Sequence, residues 1–139
     1  MGQYFVAPLG EVSEVIYPPK YTYVPNTQPW VVGLSNIRGR LLSVSDLAHY
    51  ISGQKSQNTR TQKVMCISNN DHYVGLVVDQ VLGIQHFNKK SFFSKHPSLD
   101  KNLQEYCQGY FQQHNHQWNV FLFSQLLKNP KYLNASINF

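Results

Sequence analysis

Short apolar runs separated by turn residues recur along the whole chain, which is the pattern of an all-β domain with short helices. Gly, Pro, Asn or Asp bounds most of these runs. Strands this short leave exposed edges unless their sheets close, so we expect small β-barrels. The predicted strands cover residues 4–9, 30–37, 40–44, 64–68, 73–78, 81–84, 106–111 and 118–123.

Three short helical segments are predicted between the strands. Residues 11–16 place three apolar side chains at helical spacing, which predicts one or two helical turns. Asp46 is suited to cap a helix over residues 47–52, and Gly53 is suited to end it. Ser124 is placed to cap a last helical turn.

A polar segment at residues 53–62, GQKSQNTRTQ, has no apolar periodicity and is predicted to be a loop between two β-rich halves. The 139 residues are enough for one domain with a continuous core. No apolar run approaches membrane-spanning length. Two cysteines, Cys66 and Cys107, cannot form a disulfide framework, so we expect reduced thiols in a cytoplasmic protein.

The net charge of +5 and the 14% of aromatic residues leave open a small β-barrel that binds nucleic acid. However, the surplus positive charge lies in two polar segments that are predicted to be loops, and the aromatic residues lie mainly in predicted strands that need a core. Nucleic-acid binding is therefore the alternative hypothesis.

Candidate catalytic and metal-binding side chains are few. His114 and His116 lie in a polar turn with no third ligand nearby. Cys66 and His72 are candidates for a nucleophile and a base across a hairpin, but no third group is available to orient them. We therefore predict no metal, no cofactor and no catalytic site.

Several polar residues stand in apolar surroundings, and Arg38 is the clearest of them. It follows the apolar run at residues 31–37, so its charge must be paired or reach solvent. One interpretation is a structural salt bridge, and the other is a guanidinium that binds a partner at a groove. The further polar residues of this kind are Glu14, Asn36, Asp46 and Asp79.

Three ordered motifs carry a family resemblance. They are YFVAPLGEVSEVI at residues 4–16, PWVVGLSNIRGRLLSVSDL at residues 29–47 and YVGLVVDQVLGI at residues 73–84. Together they resemble the CheW-type coupling domains, although Ser43 stands where that family usually has proline. FVAPLGEVSEV and the QHF at residues 85–87 favour the adaptors of type IV pilus and twitching pathways over the flagellar coupling protein.

The resemblance implies a non-catalytic adaptor that binds a methyl-accepting chemotaxis receptor and the regulatory domain of a CheA-type histidine kinase. It implies no cofactor, no nucleic acid and no direct membrane insertion, in a cytoplasmic protein recruited to inner-membrane receptor complexes. It also implies two five-stranded barrels of SH3 or OB type, packed on a shared core. We expect the first barrel to comprise about residues 1–52 and 112–139, and the second about residues 63–111.

Chains of this family carry one strand before the YFVAPL-like strand, and here Met1 and Gly2 fall at the turn after it. We therefore expect the first barrel to lack one strand and to have an unpaired sheet edge.

The resemblance also assigns individual residues. Asn36, Asp46, Gly75 and Asp79 match structural positions of the motifs. The glycines inside strands are expected at bulges or at close backbone contacts. The positions that match suspected receptor contacts are Val12, Glu14, Gly33, Arg38, Gly39 and Val78.

Overall fold

Nine strands form two sheets in the part of the chain that the structure, a computed structural model, describes: residues 3–69, 71–95, 99 and 101–134. Four short helices accompany them. The strands are β1 (Tyr4–Val6), β2 (Glu14–Ile16), β3 (Val31–Ile37), β4 (Arg40–Asp46), β5 (Lys63–Ser68), β6 (Tyr73–Val78), β7 (Phe92–Phe93), β8 (Cys107–Gln113) and β9 (His116–Phe121). The helices are α1 (Leu47–Ser52), α2 (Lys101–Gln104), α3 (Phe123–Leu126) and α4 (Pro130–Leu133).

The five-stranded sheet has the order β2-β5-β6-β4-β3. Two antiparallel hairpins, β3–β4 and β5–β6, supply four of its strands, and β4 pairs with β6 in parallel. All four strands overlap strands that the sequence predicts. The four-stranded sheet has the order β1-β9-β8-β7, in which β1 pairs with β9 in parallel. The class predicted from sequence, mostly β with short helices, is confirmed, but over the described residues neither sheet closes into a barrel.

The strands are divided between the sheets differently from the predicted barrels. Strands β2, β3 and β4, which we expected in a first barrel with the C-terminal segment, belong to the sheet of β5 and β6. Strand β8, expected in the second barrel, pairs with β9. The reason is the parallel pairing of β4 with β6, which joins residues 31 positions apart and leaves no local signal in the sequence.

The helix predicted over residues 11–16 is wrong. A 3-10 turn covers Leu9–Glu11, and β2 follows, with Glu14 paired to Cys66 on β5. The backbone N–H and the hydroxyl of Ser13 both donate to the Cys66 carbonyl at 2.8 Å. Val15, one of the three apolar residues at helical spacing, is 41% exposed. Long-range sheet hydrogen bonds therefore override a local pattern that suits either element.

Residues 81–84, also predicted to be a strand, have no strand assignment. Leu82 and Ile84 are exposed, and Gly83 has a φ of 93°. This segment leads from β6 of one sheet toward β7 of the other. The apolar residues of this segment therefore do not belong to either sheet.

Helix α1 is built as predicted. The Asp46 carboxylate accepts the His49 N–H at 3.2 Å, and Gly53 ends the helix with a φ of 80°. The last helical turn differs, because α3 begins after Leu122 and Ser124 lies inside it. Instead of a serine cap, the Glu11 carboxylate accepts the Phe123 N–H at 2.7 Å.

Two apolar cores hold the sheets. The larger core lies between the sheets and helices and contains Trp30, Tyr50, Leu76, Tyr106 and Phe121. The smaller core belongs to the five-stranded sheet alone. Its buried members are Leu42, Val44, Val64, Cys66 and Val77, packed by Ile16, Tyr21, Val32, Ile37 and Tyr73. Strands β2 and β3, the two edges of this sheet, thus contribute side chains to one core, which shows that the sheet is strongly curled.

Candidate functional site

A groove of about 410 Å³ lies at one end of the five-stranded sheet, and we call it the arginine groove. The turn between β3 and β4, the start of β6, the end of β5 and the start of β2 meet there. Its lining residues are Ser13, Glu14, Ile37, Arg38, Arg40, Ser68 and Tyr73.

An ion pair spans the arginine groove. The Nη2 of Arg38 donates to the Oε1 of Glu14. This hydrogen bond and the charge of Glu14 raise the pKa of Arg38. Glu14 lies on β2 and Arg38 directly follows β3, so the pair connects the two edges of the curled sheet. The Arg38 side chain is 71% exposed and that of Glu14 is 30% exposed, which leaves the guanidinium accessible to a partner.

The backbone of the turn fixes where Arg38 points. Arg38 and Gly39 both have positive φ values, 50° and 85°. The Asn36 side chain stabilises the turn because its Oδ1 accepts the Gly39 N–H at 2.9 Å. A Cβ at Gly39 would meet nothing within 4 Å, so the glycine is needed for its conformation and not for space.

A second guanidinium, that of Arg40, lies beside this pair. Its Nη1 donates to the Ser68 hydroxyl at 2.9 Å, and its Cζ lies 4.2 Å from the centre of the Tyr73 ring. Sequence reasoning did not identify Arg40, Ser68 or Tyr73 as site residues. The signal available was the RGR sequence, which places two arginines on either side of the turn glycine.

Cys66 lies next to the groove, but its chemistry is that of a core residue. It is fully buried, and burial together with the charge of Glu14 raises its pKa to about 11. The thiol is therefore protonated at neutral pH and is not an activated nucleophile.

Gly33 lies away from the arginine groove, in the middle of β3. A Cβ on Gly33 would lie 2.5 Å from the Thr22 carbonyl oxygen, and the pairing of β3 with β4 shifts register next to Gly33, as expected for a bulge. Thr22 and Leu34 exchange two backbone hydrogen bonds, which hold the preceding segment against β3. Gly33 lines a second groove, of about 260 Å³, with Val24, Thr27, Val31, Leu34, Ser43 and Leu133.

Val12 and Val78 also lie outside the arginine groove. Both are half-buried and pack against the larger core. Val78 ends β6, at the opposite end of the strand from Tyr73. The structure therefore brings together three of the six suspected receptor contacts, Glu14, Arg38 and Gly39, and places the other three elsewhere.

The remaining motif residues make contacts within the fold. Besides capping α1, the Asp46 carboxylate accepts the Ser56 N–H at 2.8 Å and the Ser56 hydroxyl at 2.5 Å. A Cβ on Gly75 would lie 2.7 Å from Val64 Cγ1, so the small core needs glycine there. The Asp79 carbonyl accepts the Thr61 hydroxyl at 2.8 Å.

The described residues contain no cluster of three or more His, Cys, Asp or Glu that could hold a metal ion. Within the same residues, no helix is long and apolar enough to span a membrane.

Comparisons with known proteins identify relatives of the chain. It is 37% identical to Protein PilI of Pseudomonas aeruginosa over 137 residues, which is 98% of this chain and 76% of that protein. It is 23% identical to the chemotaxis protein CheW of Helicobacter pylori over 77 residues, 55% of this chain and 47% of that protein. The fold is similar to the crystal structure of the scaffolding protein TtCheW from Thermoanaerobacter tengcongensis, with a TM-score of 0.74 and 19% identity, over 86% of this chain and 82% of the other.

These comparisons provide no support for the nucleic-acid-binding alternative. The CheW-like domain matches residues 1–131, almost the whole of the chain. From this match and the likeness to PilI, we conclude that the chain belongs to the CheW-like domain family.

Proposed function

We propose that the chain is a non-catalytic adaptor that binds a methyl-accepting chemotaxis receptor and the regulatory domain of a CheA-type histidine kinase at the same time. The observation that carries this proposal is the CheW-like match over residues 1–131. Holding two partners together raises their effective concentration without any chemical step.

The likeness to PilI supports a narrower proposal, an adaptor in the pathway that controls type IV pili and twitching motility. The receptor would then be PilJ-like and the kinase ChpA-like. The proposed place of action is the cytoplasm, at receptor complexes of the inner membrane.

We place the receptor contact at the arginine groove. Arg38 supports this placement because it is a charged side chain that is 71% exposed and held in one position by Glu14 and by the turn at Gly39. A fixed guanidinium forms directional hydrogen bonds at a smaller entropic cost than a mobile one. Gly33, Val12 and Val78 lie outside this groove, so their receptor contacts stay predictions from the resemblance.

The experiment that tests the receptor contact measures binding of two fragments separately: a receptor cytoplasmic tip and a kinase regulatory domain. Arg38→Ala should weaken receptor binding by about tenfold or more while kinase binding stays within about twofold. Arg60→Ala is the matched control, because Arg60 is an exposed arginine in the loop of residues 53–62. Equal losses for both fragments would place Arg38 in a purely structural role.

A further inference from the structure

The two guanidinium groups of the arginine groove have different partners within the protein. Arg38 is paired with the carboxylate of Glu14. Arg40 is exposed, and the contacts that orient it are the neutral Ser68 hydroxyl and the Tyr73 ring. No carboxylate among the described residues forms an ion pair with Arg40. Two positive charges and one negative charge line the groove, so it carries one net positive charge at Arg40.

The orientation of Arg40 leaves N–H donors of its guanidinium available to a partner. A guanidinium carries five N–H donors in a rigid plane, and the Ser68 hydroxyl takes one of them. The Tyr73 ring, 4.2 Å away, fixes the plane by a cation–π contact. The remaining donors match the two oxygens of a carboxylate, which planar guanidiniums bind in a bidentate manner.

From this geometry we infer that Arg40 is a recognition residue that binds an acidic side chain of the receptor within the arginine groove. The inference rests on the proposed function, because it names the chemistry of that contact. The groove volume, about 410 Å³, is sufficient for one side chain and its flanking backbone. A free small carboxylate is a weaker candidate, because an isolated charge pair at an exposed site contributes little unless a macromolecule excludes water from it.

The test is a set of binding measurements with a receptor cytoplasmic tip fragment. The variants of this chain are Arg40→Gln, Arg40→Lys and Ser68→Ala, with Arg60→Gln as the control for loss of one positive charge. The fragment is used as wild type and with each Asp or Glu of its tip replaced singly by Asn or Gln. Melting temperatures of all variants establish that each is folded.

Arg40→Gln should weaken binding by about tenfold or more, and Arg60→Gln by less than about twofold. Arg40→Lys should recover only part of the loss, because lysine lacks the planar fork. Ser68→Ala should weaken binding less than Arg40→Gln, because it removes the orientation of Arg40 and leaves its charge. One acidic substitution in the fragment should weaken binding to the wild-type chain and have no further effect on the Arg40→Gln variant.

Two results would overturn the inference alone: wild-type affinity in the Arg40→Gln variant, or additive losses for every acidic substitution in the fragment. Complete absence of binding between the fragment and the wild-type chain would overturn the proposed function and the inference together. These binding measurements therefore distinguish an error in the role inferred for Arg40 from an error in the proposed adaptor function.

Discussion

Arg38 and Glu14 form an ion pair although Glu14 lies on one edge strand of the five-stranded sheet and Arg38 directly follows the other. Strands β5, β6 and β4 separate β2 from β3 within that sheet, so only a strong curl brings the two side chains into contact. The salt-bridge interpretation of Arg38 is therefore what the structure shows. Because the Arg38 side chain is exposed even in this ion pair, it is also able to bind a partner, as we propose.

The ion pair should contribute little to stability and more to receptor binding. An exposed pair is screened by water, so Arg38→Gln and Glu14→Gln should each lower the melting temperature by only a few degrees. Receptor affinity should fall in both single variants, since Glu14→Gln releases Arg38 from its position. A double-mutant cycle measured by calorimetric binding checks this, and purely additive losses in affinity would contradict the coupling.

Gly33, on β3, should not tolerate replacement by a larger residue. Its φ of 151° is unfavourable for other residues, and an added Cβ would lie 2.5 Å from the Thr22 carbonyl oxygen. Gly33→Ala should therefore lower the free energy of unfolding by roughly 1–3 kcal/mol. Gly10→Ala is the matched control, because a Cβ there meets nothing within 4 Å. Chemical denaturation measures both, and equal stability of the two variants would show that β3 moves freely away from Thr22.

The buried tyrosines between the sheets should stabilise the fold through their hydroxyls. The hydroxyls of Tyr50 and Tyr106 share a hydrogen bond of 2.7 Å, and Asn129 Nδ2 donates to the Tyr106 hydroxyl at 2.8 Å. Tyr106→Phe should lower the free energy of unfolding by about 1–3 kcal/mol, because the buried Tyr50 hydroxyl and the half-buried Asn129 amide each lose a partner. Tyr23→Phe should change it by less than about 0.5 kcal/mol, because Tyr23 is 77% exposed. A loss in Tyr23→Phe as large as that in Tyr106→Phe would contradict this account.

Alkaline pH should destabilise the protein through Cys66. Its pKa is raised from 9.0 to about 11 by burial first and by Glu14 second. Above pH 9 the unfolded thiol loses its proton while the folded thiol keeps it, so stability falls as pH rises and continues to fall until about pH 11. Urea unfolding at pH 8 to 10.5 measures the slope. Cys66→Ala should reduce that slope even though the variant is less stable at every pH, and the part that remains includes Cys107, whose pKa burial also raises to about 11. An unchanged slope would exclude Cys66 as one of its sources.

Elements set by neighbouring residues were predictable from the sequence, whereas long-range contacts were not. The β3–β4 and β5–β6 hairpins and the cap of α1 by Asp46 depend on residues within a few positions of each other. The cap of α3 is different, because its acceptor is Glu11, 112 positions before Phe123. The segment at residues 11–16 was not predictable for the same reason. Its local pattern suits a helix or a strand, and its hydrogen bonds to Cys66 on β5 select the strand.

The candidate site was predictable in part for the same reason. Asn36, Arg38 and Gly39 form one turn, so the motif in the sequence identifies them together. Glu14 also was selected from the sequence, but its pairing with Arg38 depends on the curl of the sheet. Arg40 was not predictable as a site residue, because its contacts with Ser68 and Tyr73 depend on how β4, β5 and β6 lie together in the sheet.

The most direct test of the adaptor assignment is the mass of the complexes formed by a receptor cytoplasmic tip, a kinase regulatory domain and this chain, measured by light scattering after gel filtration. We expect a ternary complex when all three are mixed, and no complex of receptor tip and kinase domain at the same concentrations without the chain. Competition between the two fragments for the chain, so that only binary complexes form, would contradict the account.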